Sequence, residues 1–298
     1  MKRLFLLLVS AWICSNLSAE NTIWYQTTDG EVLYPASTSA IDGTLTDNVY
    51  ADGCGTMVFA PQNGTHITTI GEKAFAELGI NTYFDPKNDD EIRTIGKNPF
   101  SADDELGYHR LQSIVLDEGI TTIGTRAFAD CASLTEVVLP ASLTTIHSAA
   151  FANDTALLSI GRPFPKQQVE DHTFANCWSL NDIDLSNVVG KIGRHAFSLC
   201  RSMTDISIPE GVESIGDSAF FYCGATSLHL PSNLESIGRG AFQGMPITSV
   251  KIPNSIHTLP YFAFAFTHLK HVSIPSSVTV MESSCFECCY ELESIDIP

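Results

Sequence analysis

Leu134-Thr135-Glu136-Val137-Val138-Leu139-Pro140, followed by Leu143-Thr144-Thr145-Ile146 and then Ala150-Phe151, is the stretch on which the fold turns. Val137 and Leu139 alternate with polar or outward neighbours, so this piece reads as a short strand with one buried face. Pro140 ends it, because proline has no amide hydrogen to continue a ladder. Leu143 and Ile146 mark a second short extended piece, and Ala150-Phe151 closes the unit. The same register returns as Met203, Ile206, Ile208, Pro209, Val212, Ile215, Gly216, Ala219 and Phe220. Pro231, Pro253 and Pro275 end the corresponding strands of later copies.

Working outward, the Phe that closes each unit stands at 75, 100, 128, 151, 174, 197, 220, 242, 264 and 286. From Phe128 onward the interval is 22 or 23 residues. A fixed apolar pattern at a period of 20 to 29 residues predicts a leucine-rich repeat solenoid, mostly strand and turn, with short parallel strands and about ten coils. No single copy buries its own apolar face, since ordering each residue costs roughly 1 to 2 kcal/mol, so stability must come from stacking. Ten coils about 4.8 Å apart make a rod or gentle arc about 50 Å long, with the Phe side chains in one interior column.

The flanks divide the chain of 298 residues into three parts. Residues 1–19 read as a secretion signal: Lys2 and Arg3, an apolar run from Leu4 to Ile13, and small residues at Leu17-Ser18-Ala19. That run is too short to cross a bilayer, which needs roughly 20 residues, so no transmembrane segment is expected. Cys14 raises lipidation as an alternative, but Ile13 before it is larger than the residue that normally precedes a lipid-bearing Cys. Residues 20–62 lack the repeat. Ile23-Trp24-Tyr25, Asp29-Gly30, Val32-Leu33-Tyr34, and Met57-Val58-Phe59 after Asp52-Gly53 predict a β-hairpin cap over the first coil. Residues 63–298 form the array. Ile295-Asp296-Ile297-Pro298 opens an eleventh strand, so we expect the array to continue in a longer protein, the alternative being a partner over that edge. Residues 85–91 and 101–109 are polar insertions expected in surface loops, and Arg162 breaks the register where a bulge is expected.

The unit Leu-x-x-Ile-x-Leu-Pro-x-x-Leu-x-x-Ile-Gly-x-x-Ala-Phe-x-x-Cys, seen in Met203 to Cys223 and Leu134 to Asp154, closely resembles the BspA-type leucine-rich repeats of bacterial surface proteins. The resemblance covers roughly residues 65 to 298, and Ile23-Trp24-Tyr25 with Asp29-Gly30 is similar to the segment preceding such repeats in Bacteroidetes. It implies a secreted or surface-held protein of the adhesin kind, binding host matrix or other cells, and it brings no catalytic residues.

Composition narrows the chemistry. Formal net charge is −18, and loss of Lys2 and Arg3 with the leader takes it to −20, so a nucleic-acid partner is excluded on charge. No Gly-x-Ser-x-Gly elbow, phosphate loop or His-Glu-x-x-His helix occurs, so we expect no enzyme and no cofactor. Cys131, Cys177, Cys200, Cys223 and Cys289 each follow the repeat Phe by three, a place taken by Asp154 and Thr267 elsewhere. This predicts a buried ladder of free thiols whose parallel side chains suit disulfide geometry poorly. His268, His271, Cys285 and Cys288 are four groups of the kind that hold zinc, but Cys285 takes the repeat's Ala place, so a structural role is preferred.

The remaining candidates are exposed positions for binding an extracellular protein or glycan. Glu136, Asp182, Asp184, Asp205, His229 and Lys251 should point outward from the strands. Asp182, Asp184 and Asp205 should cluster, as a solvated acidic patch or, less readily, a calcium site. Tyr261 and Phe262 stand where Arg239 and Gly240 stand one copy earlier, which fits either a contact site or packing between coils. Two function classes follow: a non-catalytic adhesion module, or a structural spacer that presents a further C-terminal domain.

Overall fold

The computed structural model describes residues 113–116, 118–161 and 163–298 in full, together with Thr69 and Ile70; further strands between residues 23 and 112 are described by their backbone alone. Each coil has three sides. The first is a strand such as Glu136–Val138, whose Glu136 and Val137 pair in parallel with Ser159 and Ile160 of the next coil. The second is a two-residue strand such as Thr145–Ile146, which pairs with Thr122–Ile123 of the previous coil. Pairing at a constant sequence offset places the same apolar position of every copy at the same depth, and this turns a sequence period into a core.

The third side contains no strand, yet it forms the most regular ladder. The amide of each repeat Phe donates to the carbonyl of the residue before the next Phe: Phe151 to Thr173 at 3.0 Å, Phe174 to Ala196 at 2.8 Å, Phe197 to Ala219 at 2.7 Å. Amides two residues to either side do the same, as in His195 to Asp217 at 3.0 Å and Leu199 to Phe221 at 2.7 Å. The backbone achieves this by placing those flanking residues in the left-handed region. Phe197 lies between His195 (φ 53°) and Leu199 (φ 62°), and Phe264 between Phe262 (φ 59°) and Phe266 (φ 60°). Among the described copies only that at Phe242 uses glycine for both, Gly240 and Gly244. Elsewhere an L-residue accepts a cost of roughly 1 to 2 kcal/mol, offset by the amide bonds to the next coil and the buried ring between. Asp130, Asn153 and Asn176 suit the conformation best and add a side-chain ladder, with Asn153 Nδ2 2.7 Å from Asp130 Oδ1 and Asn176 Nδ2 2.7 Å from Asn153 Oδ1.

Inside this frame the Phe column is continuous. Rings stack nearly parallel from Phe128 to Phe286, with centroids between 5.2 Å (Phe242 and Phe264) and 5.8 Å (Phe220 and Phe242). In the irregular copy Phe164 is also fully buried and meets Phe174 edge-on at 6.0 Å. Arg162 itself, where a bulge is expected, lies outside the described residues. Beside the rings runs the cysteine ladder. The described cysteines are free thiols, and Cys177 and Cys200 donate to the carbonyls of Phe151 (3.1 Å) and Phe174 (3.2 Å). Burial pushes these thiols well up, and that of Cys223 to about 12, so they stay protonated and inert near neutrality.

Two features of the early chain differ from expectation. Thr69–Ile70 pairs directly with Thr122–Ile123, which leaves no place between them in this ladder for a further rung, so the stack is shorter than ten coils. The intervening chain instead includes an antiparallel pair, Thr82–Phe84 with Ile92–Thr94, bracketing the polar run at 85–91. At the start, Ile23–Gln26 pairs antiparallel with Val32–Leu33 across Asp29-Gly30, as the turn signal predicts. Asp52-Gly53 makes no such hairpin: the strands on either side, Thr44–Val49 and Gly55–Phe59, enter different sheets. Thr44–Val49 pairs with Ser37–Ile41 across Asp42-Gly43, and Gly55–Phe59 joins Ile23–Gln26 to the array through Leu111–Val115. Phe75, Phe100 and the proposed leader lie outside the described residues.

The coils approach so closely that several glycines leave no room for a Cβ, Gly224 most severely. A Cβ on Gly224 would stand 1.9 Å from the Arg201 carbonyl oxygen, a backbone atom with nowhere to go. Gly224→Ala is therefore expected to destabilise by about 2 kcal/mol or more, seen as a lower midpoint in a urea titration. An unchanged midpoint would remove this contact from the account.

Candidate ligand-binding surface

The stack presents two outer surfaces with different chemistry. On the strand surface, alternation places the expected residues outward. Glu136 is half-buried between Ser113 and Ser159 in the register, and Asp182 is exposed opposite Ser159. Asp205 accepts a hydrogen bond from Ser227 Oγ, while Asp184 Oδ1 accepts from the Ser186 amide at 2.9 Å. His229 lies opposite Ser207, and Lys251 opposite Ser273, all exposed. Asp184 and Asp205 line one shallow groove of about 370 Å³ with Met203 and Pro209, whereas Asp182 does not line it. The three carboxylates thus do not converge. Among the described residues no group of three or more His, Cys, Asp or Glu is placed to hold a metal ion. The four zinc candidates are likewise separated in role: His271 Nδ1 sits 2.9 Å from Ser294 Oγ, His268 Nδ1 lies 3.6 Å from Glu291, and Cys285 is buried.

On the turn surface, the residues three before each repeat Phe fall in a row: Asp171, Arg194, Asp217, Arg239 and Tyr261. The acids are tied to backbone. Asp171 Oδ1 accepts from the Arg194 amide at 2.8 Å, Asp217 Oδ1 from the Arg239 amide at 2.7 Å, and Glu282 from the Tyr261 amide at 2.9 Å. The arginine side chains are not tied to acids: among the described residues neither Arg194 nor Arg239 makes an ion pair. The Arg239 guanidinium lies over the Tyr261 ring, 5.4 Å from its centroid, and Tyr261 packs on Phe262 at 4.0 Å. Together with His195, Ser218 and Gln243 these side chains line an open groove of about 230 Å³.

The histidines of this surface are neutral. His195 stacks on His172 with centroids 5.0 Å apart. Burial, with His172 and Arg194 adjacent, lowers His195 to about 4, and burial beside Arg194 lowers His172 as well. Near pH 7 the charge of the groove wall is therefore set by Arg194, Arg239 and the committed Asp217. Of the sequence candidates, Tyr261 and Phe262 belong to this groove. Arg194, His195 and Arg239 are not among the sequence candidates: Arg239 figures there only as the residue against which Tyr261 stands out, and a single Arg or His on a turn carries no mark of its own.

A profile of the BspA type leucine rich repeat region, in 6 copies, matches residues 102–223 and 190–298. The chain belongs to the BspA-type leucine-rich repeat family. As a member of that family it shares its fold with a leucine-rich repeat protein from Bacteroides ovatus, at 19% identity over 89% of this chain and 70% of that one, with a TM-score of 0.57. Looser superpositions link this BspA-type chain to two further proteins. A leucine-rich cell surface protein of Faecalibacterium prausnitzii matches at 19% identity over 94% and 88% of the two chains, TM-score 0.33. A leucine-rich repeat protein of Eubacterium ventriosum matches at 26% over 49% and 40%, TM-score 0.43. No curated protein matches significantly. No helix among the described residues is long and apolar enough to cross a membrane.

Proposed function

We propose that this BspA-type chain is a secreted or cell-surface, non-catalytic binding module that attaches to an extracellular protein or glycan on host matrix or another cell. The observation that carries the proposal is the turn-surface groove. The place of Phe262 is held by Ser218 and Gly240 in the two preceding coils, yet here Tyr261 and Phe262 line the groove with two arginines that make no ion pair among the described residues, all carried on a regular backbone ladder. Aromatic and arginine side chains are the types that concentrate at contact surfaces, because they gain most when water is removed from them. The leader-like residues 1–19 support export, and the strand-surface residues Glu136, Asp182, Asp184, Asp205, His229 and Lys251 supply a second, acidic and more hydrated face.

The test is adhesion by the chain alone. In a solid-phase screen against matrix proteins, immobilised glycans and whole cells, the chain is expected to bind at least one class. Tyr261→Ala with Phe262→Ser is expected to weaken that binding tenfold or more without changing the unfolding midpoint downward. A chain that binds nothing in such a screen is a spacer, and the proposal falls.

A further inference from the structure

We infer that the Arg194 to Phe262 groove is a site for a short acidic saccharide, one whose sugar ring carries a carboxylate. This rests on the binding reading above and narrows it to a chemical class.

Charge is the first ground. The chain carries formal net charge −18 with only 16 Lys and Arg, so two arginines lining one groove are a local concentration of positive charge. Asp217, which lies between them, has Oδ1 engaged by the Arg239 amide, and Asp171 beside Arg194 is engaged by the Arg194 amide and lies 3.6 Å from Lys191 Nζ. The acids of the row thus serve as backbone ties, and the guanidinium groups keep their fork of donors for an outside carboxylate. Arginine binds carboxylates through two parallel N–H donors, which gives orientation as well as energy. The Arg239 guanidinium lies 5.4 Å from the Tyr261 ring centroid, a contact that draws on its charge and engages no acid.

Shape is the second ground. Tyr261 and Phe262 line one end with their rings tilted 60° to each other, while Gln243 and Ser218 supply amide and hydroxyl groups between. Flat apolar faces beside hydroxyl partners suit a sugar ring, whose two sides are C–H rich and whose rim is hydroxylated. Arg194 and Tyr261 stand three coils apart, about 15 Å at a strand spacing near 4.8 Å, so the groove accepts a short oligosaccharide rather than a long chain. An extended peptide is disfavoured because the groove exposes no unpaired strand edge. The left-handed residues along it, His195, Ser218 and Gly240, give their amides to the next coil.

The experiment is calorimetric titration of the full chain with digalacturonate and with its dimethyl ester, which matches it in shape and lacks its charge. A parallel pair, sialyllactose and lactose, separates a sialic acid from a uronic acid as the source of the carboxylate. The expected result is binding of at least one acid tenfold or more tighter than its neutral partner. Arg194→Gln and Arg239→Gln should each lose tenfold or more for the acid and little for the neutral sugar, and Tyr261→Ala should weaken both. Arg201→Gln, a cation over Trp178 outside the groove, should change nothing. Equal binding of acid and neutral forms overturns the inference, as does acid binding untouched by both arginine variants. If neither acid binds while the chain still adheres in the screen above, this inference fails and the binding reading stands. If adhesion fails too, both fall.

Discussion

Phe197→Ala is expected to lower the stability of the chain by about 3 to 5 kcal/mol. The side chain is fully buried, and its ring lies between those of Phe174 and Phe220, with centroids at 5.4 Å and 5.3 Å. Truncation removes one ring but ends two stacking contacts, and the neighbouring coils cannot collapse into the space while the amide ladder through Ala219 holds their spacing. The contrast within the protein is as informative as the size. Phe286 closes the described stack, contacts only Phe264 within it at 5.7 Å, and is merely half-buried, so Phe286→Ala should cost clearly less. Urea titrations of the two variants measure both. A loss under about 1 kcal/mol at Phe197 would mean the column does not bear on stability.

Asp154→Cys is expected to stabilise the chain, and the gain should grow with pH. Asp154 occupies a rung of the cysteine ladder, fully buried, with Oδ1 accepting from the Cys131 amide at 2.8 Å and Oδ2 without a partner. Burial raises its carboxyl well above the ordinary range, against the hydrogen bond from Cys131 and with the charge of Asp130. A carboxyl raised on folding binds its proton more tightly in the folded state. Its contribution is therefore fully present below the unfolded value near 3.9 and is lost as pH rises toward the folded value, at up to about 1.4 kcal/mol per pH unit. Replacement by Cys, as at Cys177 and Cys200, removes this penalty. The lowered values of His172 and His195 act with the opposite sign as pH falls, but they are common to both proteins and cancel in the difference. Stability differences between Asp154→Cys and the parent should rise with pH from about 4 and level off once the raised folded value is passed, and Asp154→Asn should share the trend. A flat difference would mean that Asp154 folds as a solvated carboxylate.

The repeat was legible because its strongest positions face a closed interior. Phe128 to Phe286, the cysteines and the strand alternation at Val137 or Ile206 all report burial, and burial constrains residue type tightly. The third ladder was not legible, since left-handed backbone leaves a sequence trace only where Gly, Asn or Asp takes it, as at Gly240 and Asn153. Arg126, Leu199 and Phe262 adopt the same conformation and carry no such mark. The dipeptide Asp52-Gly53 misled for a related reason: a turn signal specifies a bend, while pairing of the flanking strands is decided by the sheet each one joins. The outward direction of Asp184, Asp205, His229 and Lys251 followed from alternation, whereas the departure of Tyr261 and Phe262 from the repeat left a contact site and packing between coils equally open. Arg194 and Arg239 lie 45 residues apart in the chain, and only the coil geometry brings them to one groove.

The most direct test of a single translational stack is a set of distances along its outer strand row. Spin labels at Asp296 paired in turn with His229, Asp184 and Val138 span three, five and seven coils of the pattern, at positions whose side chains face outward in the register. The stack predicts separations that climb evenly, by roughly 5 Å per coil, to about 15, 25 and 35 Å. A Val138 to Asp296 separation no greater than that from Asp184 to Asp296 would contradict it.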